Sequence, residues 1–233
     1  MRILVLLLLL FLGQLTFAQN NVDKLIDSLA IASNDEDKAK IALDISYNLK
    51  DTDWKRASHY IQYTESLLKK ISSEEFNAEA NSRIAAIFNE KDALDIALSH
   101  FLKAYGYYQT TETEKKYDTE GSLAIIYARL NNTERALYYF NKLLKHYTAK
   151  KDKLHIAKVL NNIGKLYYST NRQDSAAIYY NKSLALSRQL KDTELEIILY
   201  SNLGLLNVSQ KKFDEAKAYF DKSRILAEQK PDK

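Results

Sequence analysis

The chain has 233 residues, 34 Lys and Arg against 30 Asp and Glu, and a formal net charge of +4. So nearly balanced a surface gives no electrostatic case for a nucleic-acid partner. There is no cysteine, which excludes disulfides as a source of stability, and a single Pro with five Gly fits a nearly all-helical chain, since both residues disfavour helix interiors.

The first twenty residues read MRILVLLLLLFLGQLTFAQN. One positive charge precedes ten apolar residues from Ile3 to Leu12, and Thr16 and Ala18 are placed for cleavage before Gln19. This pattern predicts a secretory signal peptide over 1–18, and hence an exported protein, periplasmic or secreted. The apolar run is shorter than the roughly 20 residues a membrane span needs, so a membrane is a partner only if the leader stays uncleaved. No Cys follows it, which excludes a lipidated N-terminus. Residues 1–18 carry Arg2 and no acid, so their removal leaves 215 residues and a charge of +3.

Residues 21–33 predict a short leading helix with Val22, Leu25, Ile26 and Leu29 on one face, followed by the charged link Asn34–Lys38. The predicted organisation is a leading cap and link over 19–36, a repeat array over 37–230 and a frayed tail at 231–233. Within the array, Ala57, Ala97, Ala136, Ala176 and Ala216 recur at gaps of 40, 39, 40 and 40 residues. Four residues after each comes Ile61, Phe101, Phe140, Tyr180 or Phe220. A fixed period of this size means stacked repeats. A small residue stands about twelve positions before each alanine: Ser46, Ala85, Ala124, Gly164 and Gly204. Such residues permit close approach where two helices cross. Each unit therefore reads as two amphipathic helices joined by polar links such as Lys50–Asp53, Leu130–Thr133 and Ser169–Gln173, whose Asn, Asp, Ser and Thr cap helix starts. Thr193–Glu196 has the spacing of a capping box.

The pattern resembles the tetratricopeptide repeat. The fourth unit carries the resemblance on Leu160, Ile163, Gly164, Tyr167, Ala176 and Tyr180, and the fifth on Tyr200, Leu203, Gly204, Ala216 and Phe220, with Asn207 off-pattern. The family's closing Pro is absent from units one to four, and the period of about 40 exceeds the usual 34. The excess resembles a bacterial subclass found in exported sensor and regulatory proteins. The resemblance implies an all-α fold, a right-handed superhelical solenoid of about five helix-turn-helix repeats. After the fifth unit no further helix is in sight to cover its face, where arrays are normally capped.

Chemistry is not visible. No two of His59, His100, His146 and His155 have the three- or four-residue spacing of a metal pair, and no HExxH, GxSxG or phosphate-cradling loop occurs. Carboxylates fall at helix starts and on faces expected to be solvated. The expectation is a non-enzyme with no cofactor and no metal. Seventeen tyrosines stand out, and Tyr60, His100, Tyr139, Tyr179 and Tyr219 form a column three residues after each alanine. At helical spacing such a column reads as packing before it reads as a binding strip.

The family's concave groove is lined by the first helix of each unit. Counting from the small residues, the resemblance places there Lys40, Tyr47 and Lys50, then Ser82, Arg83 and Asn89, then Arg129, then Lys158, Asn161, Asn162, Lys165 and Tyr168, then Ser201 and Asn202. Apolar residues join them: Ile125, Ile198, Leu205 and Val208. Asn side chains suit main-chain recognition, with a donor pair and an acceptor each. The expected partner is a protein or peptide segment of acidic character. The alternative is an array of ordinary solvated residues. The family's carboxylate clamp is not matched: Asn162 is present, but Gly121, Ile125, Ile198 and Asn202 stand where Lys, Asn, Lys and Arg are required. Two functions follow, an exported scaffold or adaptor that binds protein, and the sensor module, or a truncated relative, of a two-component or transcriptional signalling protein. Partner identity and oligomeric state are not legible.

Overall fold

Helix starts are set locally. Among the described residues, Asn34, Asp53, Ser73, Asn132, Asp152 and Asp192 each cap the helix they precede by accepting a backbone N–H three residues on. Each satisfies a donor that would otherwise lack a partner in the first turn. Asn131, Lys151 and Lys191 adopt the left-handed conformation (φ 57°, 54° and 55°) immediately before the caps Asn132, Asp152 and Asp192. At these three links the reversal takes one left-handed residue and one cap.

The computed structural model describes residues 21–111 and 113–229. They hold helices and short links, with no strand. The predicted signal peptide and the tail at 231–233 lie outside the described residues. Helix α1 covers residues 21–31. It is followed by α2 (Asp35–Leu49), α3 (Trp54–Leu68), α4 (Glu74–Glu90), α5 (Leu94–Tyr108), α6 (Glu114–Arg129), α7 (Thr133–Ala149), α8 (Lys153–Ser169), α9 (Gln173–Leu190), α10 (Thr193–Ser209) and α11 (Phe213–Glu228). None of the described helices is long and apolar enough to cross a membrane. The fold is an all-α helical repeat.

The chain forms two compact units, one ending at Thr119 and one starting at Glu120. In unit 1, α2 pairs with α3 and α4 with α5. Ala57, Ala97 and Ala85 are fully buried at these crossings. Ser46 is equally buried and donates its hydroxyl to the Ala57 carbonyl at 3.0 Å, so a polar small residue is tolerated there because its one donor is spent. Val22 of α1 is buried with Ile45, Leu49 and Ala57, and Leu25, Ile26 and Leu29 pack against them.

In unit 2, α8 pairs with α9, α10 with α11, and α10 also packs on α9. Tyr180 and Leu184 of α9 share one cluster with Leu195, Leu199 and Leu203 of α10. Gly164 is needed here: a Cβ at this position would lie 2.6 Å from two ring carbons of Tyr180. Gly204 stands in the same relation to Phe220, at 2.5 Å. The two rings differ in what covers them, since Tyr180 is 2 % exposed and Phe220 37 %. Around it on α11, Lys217 and Arg224 occupy the positions that Ala177 and Leu184 hold on α9, and both are exposed.

The aromatic column packs. His100 stacks on Phe88, Tyr139 on Tyr127 and Tyr179 on Tyr167, with ring centroids 6.1, 5.9 and 5.4 Å apart. Where Asn207 breaks the pattern, Tyr219 turns to Tyr200 at 6.2 Å. Two expectations are corrected. The capping box at Thr193–Glu196 is displaced by one residue: Thr193 is already helical, and Asp192 accepts from Leu195 N–H at 3.0 Å. Carboxylates are not confined to solvated faces either, since Glu120 is fully buried and paired with the Lys142 ammonium. A buried carboxylate needs such a partner.

Candidate functional site

In unit 2 the first helices of successive repeats carry the predicted groove positions. On α8, Lys158, Asn162 and Lys165 lie at steps of four and three, which puts them on one helical face. The matching row on α10 is Ile198, Asn202 and Leu205, with Val208 one step further. Ile198, Leu205 and Val208 are 48, 49 and 42 % exposed. Ile125 and Arg129 come from the C-terminal half of α6. Ile125, Arg129, Asn162 and Lys165 surround a hollow of about 300 Å³ floored by Phe140 and Leu166. Lys158 and Lys165 are exposed and have no ion-pair partner among the described residues. Arg129 does interact within the protein. The face thus offers two unneutralised cations beside an apolar row.

Three predicted groove residues have other work. Asn161 is 7 % exposed, and its Oδ1 accepts from Asn202 Nδ2 at 2.9 Å, so this pair ties α8 to α10. Tyr168 is half-buried against the Tyr180 cluster. A binding test that removes Tyr168 would therefore also cut into the core. Asn202→Ala should cost about 1–2 kcal/mol, because Asn161 would be left buried with its acceptor unpaired. Urea denaturation measures it, and an unchanged midpoint would show that the bond carries no stability.

Unit 1 presents a different face. Lys50 sits 2.8 Å from both Asp51 and Glu90, with its ammonium 4.6 Å from the centre of the Tyr47 ring. Hydrogen bonds to Asp51 and Glu90 push the Lys50 pKa up, and those from Lys50 and Lys91 hold the Asp51 carboxyl down at about 2. Arg83 pairs with Asp44. Lys115 pairs with Glu79 at 2.7 Å, and this bond, with a lesser contribution from Lys40, lowers the Glu79 pKa. Asn89 also interacts within the protein. Lys40 and Tyr47 are exposed. Most of the predicted cations of unit 1 are thus matched by carboxylates of the same unit.

Counting along the groove missed a second hollow in unit 1. It measures about 520 Å³, lies between α3, α4 and α5, and is lined by Glu65, Asn77, Asn81, His100 and Tyr107 among others. The four-residue step from Asn77 to Asn81 was visible in the sequence, but no motif attaches it to a histidine on the next helix.

Comparison with known proteins agrees with this architecture. Family models described as tetratricopeptide repeat match residues 116–189 and 197–223. No curated protein matches the chain. Among solved structures, BtubC from P. vanneervenii is 19 % identical, with a TM-score of 0.70 over 95 % of this chain and 94 % of that one. The apo quorum sensor NprR from B. thuringiensis is 21 % identical, with a TM-score of 0.70 over 95 % of this chain and 62 % of its own. A Rap protein complexed with competence and sporulation factor is 16 % identical, with a TM-score of 0.61 over 93 % of this chain and 66 % of that one. At such identities the likeness is one of fold. With the buried alanines and paired helices described above, the two matches identify tetratricopeptide repeats over residues 116–189 and 197–223 of this chain.

Proposed function

We propose that the chain is an exported, non-enzymatic adaptor that binds a protein or peptide of acidic character on the α6–α8–α10 face of unit 2. The observation that carries this reading is the pair Lys158 and Lys165, seven residues apart, exposed and without ion-pair partners among the described residues, beside the exposed Ile198 and Leu205. Unpaired cations attract a carboxylate-bearing segment, the apolar row supplies burial, and Asn162 has donors and an acceptor for a main chain. The Rap protein complexed with competence and sporulation factor supports ligand binding by a similar fold. Export rests on the pattern of residues 1–18.

A second reading, the sensor part of a signalling protein, draws on the likeness to the quorum sensor NprR, of which the chain covers 62 %. Both are tested by capture from a cell-envelope extract, with the full chain as bait beside Lys158→Glu/Lys165→Glu and identification by mass spectrometry. A protein held by the parent chain and lost by the variant supports the adaptor. A signalling output domain as that protein supports the sensor. Partners retained equally by both baits would refute the unit 2 face.

A further inference from the structure

The hollow between α3, α4 and α5 has a hydrogen-bond imbalance that names its ligand. Asn81 donates its Nδ2 to the Asn77 carbonyl at 2.7 Å, so its Oδ1 is the atom 2.8 Å from His100 Nδ1. An amide oxygen only accepts, so Nδ1 carries the hydrogen. His100 is 4 % exposed, and burial, with a smaller push from Lys103, holds its pKa down at about 4. The imidazole is then neutral and its Nε2 is a bare acceptor. That nitrogen faces Glu65 Oε1, also an acceptor, at 3.4 Å. A third acceptor, Asn77 Oδ1, is buried without a hydrogen-bond partner, and Asn77 Nδ2 is committed to the Ile71 carbonyl at 2.9 Å. Three acceptors thus belong to side chains of α3, α4 and α5 that line one hollow, and among the described residues none of the three receives a hydrogen bond.

We propose that this hollow binds the primary ammonium of a small zwitterion of the amino-acid class. An ammonium brings three N–H donors and a positive charge, which answer Glu65, His100 and Asn77 together. Lys69 and Lys103 line the same hollow and have no ion-pair partner among the described residues, so a ligand carboxylate has a counterpart there. Leu68 and Tyr107 give the wall an apolar part for a side chain. Gly106 borders open space in it, since a Cβ there would meet nothing within 4 Å. The site lies wholly within unit 1 and does not depend on the protein-binding face of unit 2.

The test is isothermal titration of the full chain at neutral pH with L-leucine, L-methionine and L-phenylalanine, their N-acetyl derivatives, and isoamylamine. At least one amino acid should bind, its N-acetyl form should not, and isoamylamine should bind at least about tenfold more weakly. Glu65→Gln should lose amino-acid binding by at least about tenfold, because its amide supplies the donor that His100 lacks. The Glu65 side chain is 40 % exposed, so this variant keeps the fold, and an unchanged thermal midpoint verifies that. Lys69→Ala/Lys103→Ala should weaken the amino acid and leave isoamylamine unchanged. Equal binding of acetylated and free amino acids would overturn the proposal, as would no binding at millimolar concentration. Neither result bears on capture by unit 2.

Discussion

Gly164→Val should destabilise the protein by about 3 kcal/mol, and Gly204→Val by less than about 1 kcal/mol, although both glycines hold the same place in their repeats. The added Cβ at 164 would fall 2.6 Å from the Tyr180 ring, which is 2 % exposed and enclosed by Leu184, Leu199 and Leu203. A packed interior does not yield by an ångström, so α8 and α9 must separate or the ring must leave its rotamer. At 204 the clash with Phe220 is as close, 2.5 Å, but that ring is 37 % exposed and has room to swing aside. Valine is also a slightly better helix former than glycine, which offsets part of the cost at both sites. Urea midpoints of the two variants measure the difference. Equal losses would mean that Phe220 is as firmly held as Tyr180.

The second large effect concerns binding. Lys158→Glu/Lys165→Glu should weaken capture of an acidic partner by about 50- to 100-fold with no change in thermal midpoint. An exposed ion pair contributes up to about 1 kcal/mol, and reversal of charge replaces attraction by comparable repulsion. Two such positions together give about 2–3 kcal/mol. Neither lysine makes an ion pair among the described residues, so folding loses none of those contacts. The matched control is Lys50→Glu in unit 1, whose parent residue is bound to Asp51 and Glu90. It should disturb local stability and leave capture intact. Raised salt should weaken the parent complex in the same direction as the charge reversal, since exposed charges are screened.

Much of the architecture was legible because steric demands leave a mark. A crossing point tolerates only Gly, Ala or Ser, and Ala57, Ala97, Ala136 and Ala176 sit at 0 % exposure as their recurrence implied. Caps at Asp53 and Asn132 were legible in the polar links for the same reason, since a short acceptor is required there. The left-handed residues Lys151, Lys191 and Lys211 were not, because lysine does not advertise that conformation and the next helix imposes it. The groove was read only in part. Asn161 and Asn162 are adjacent, yet a helix turns about 100° per residue, so one is buried against Asn202 and the other faces the hollow. Asp44 and Arg83 stand 39 residues apart and their pairing leaves no trace in the sequence, so the matching of Arg83 by a carboxylate was hidden. The fate of His100 was hidden likewise, since its tautomer depends on Asn81, 19 residues away on another helix.

The most direct test of the central claim is site-specific photo-crosslinking in intact cells. A photoreactive side chain is placed at position 165 on α8 or, as control, at position 182 on α9, both exposed. A protein partner on the α6–α8–α10 face predicts a discrete adduct from 165 that disappears with Lys158→Glu, and none from 182. Adducts of equal yield at both positions, or from 182 alone, would contradict it.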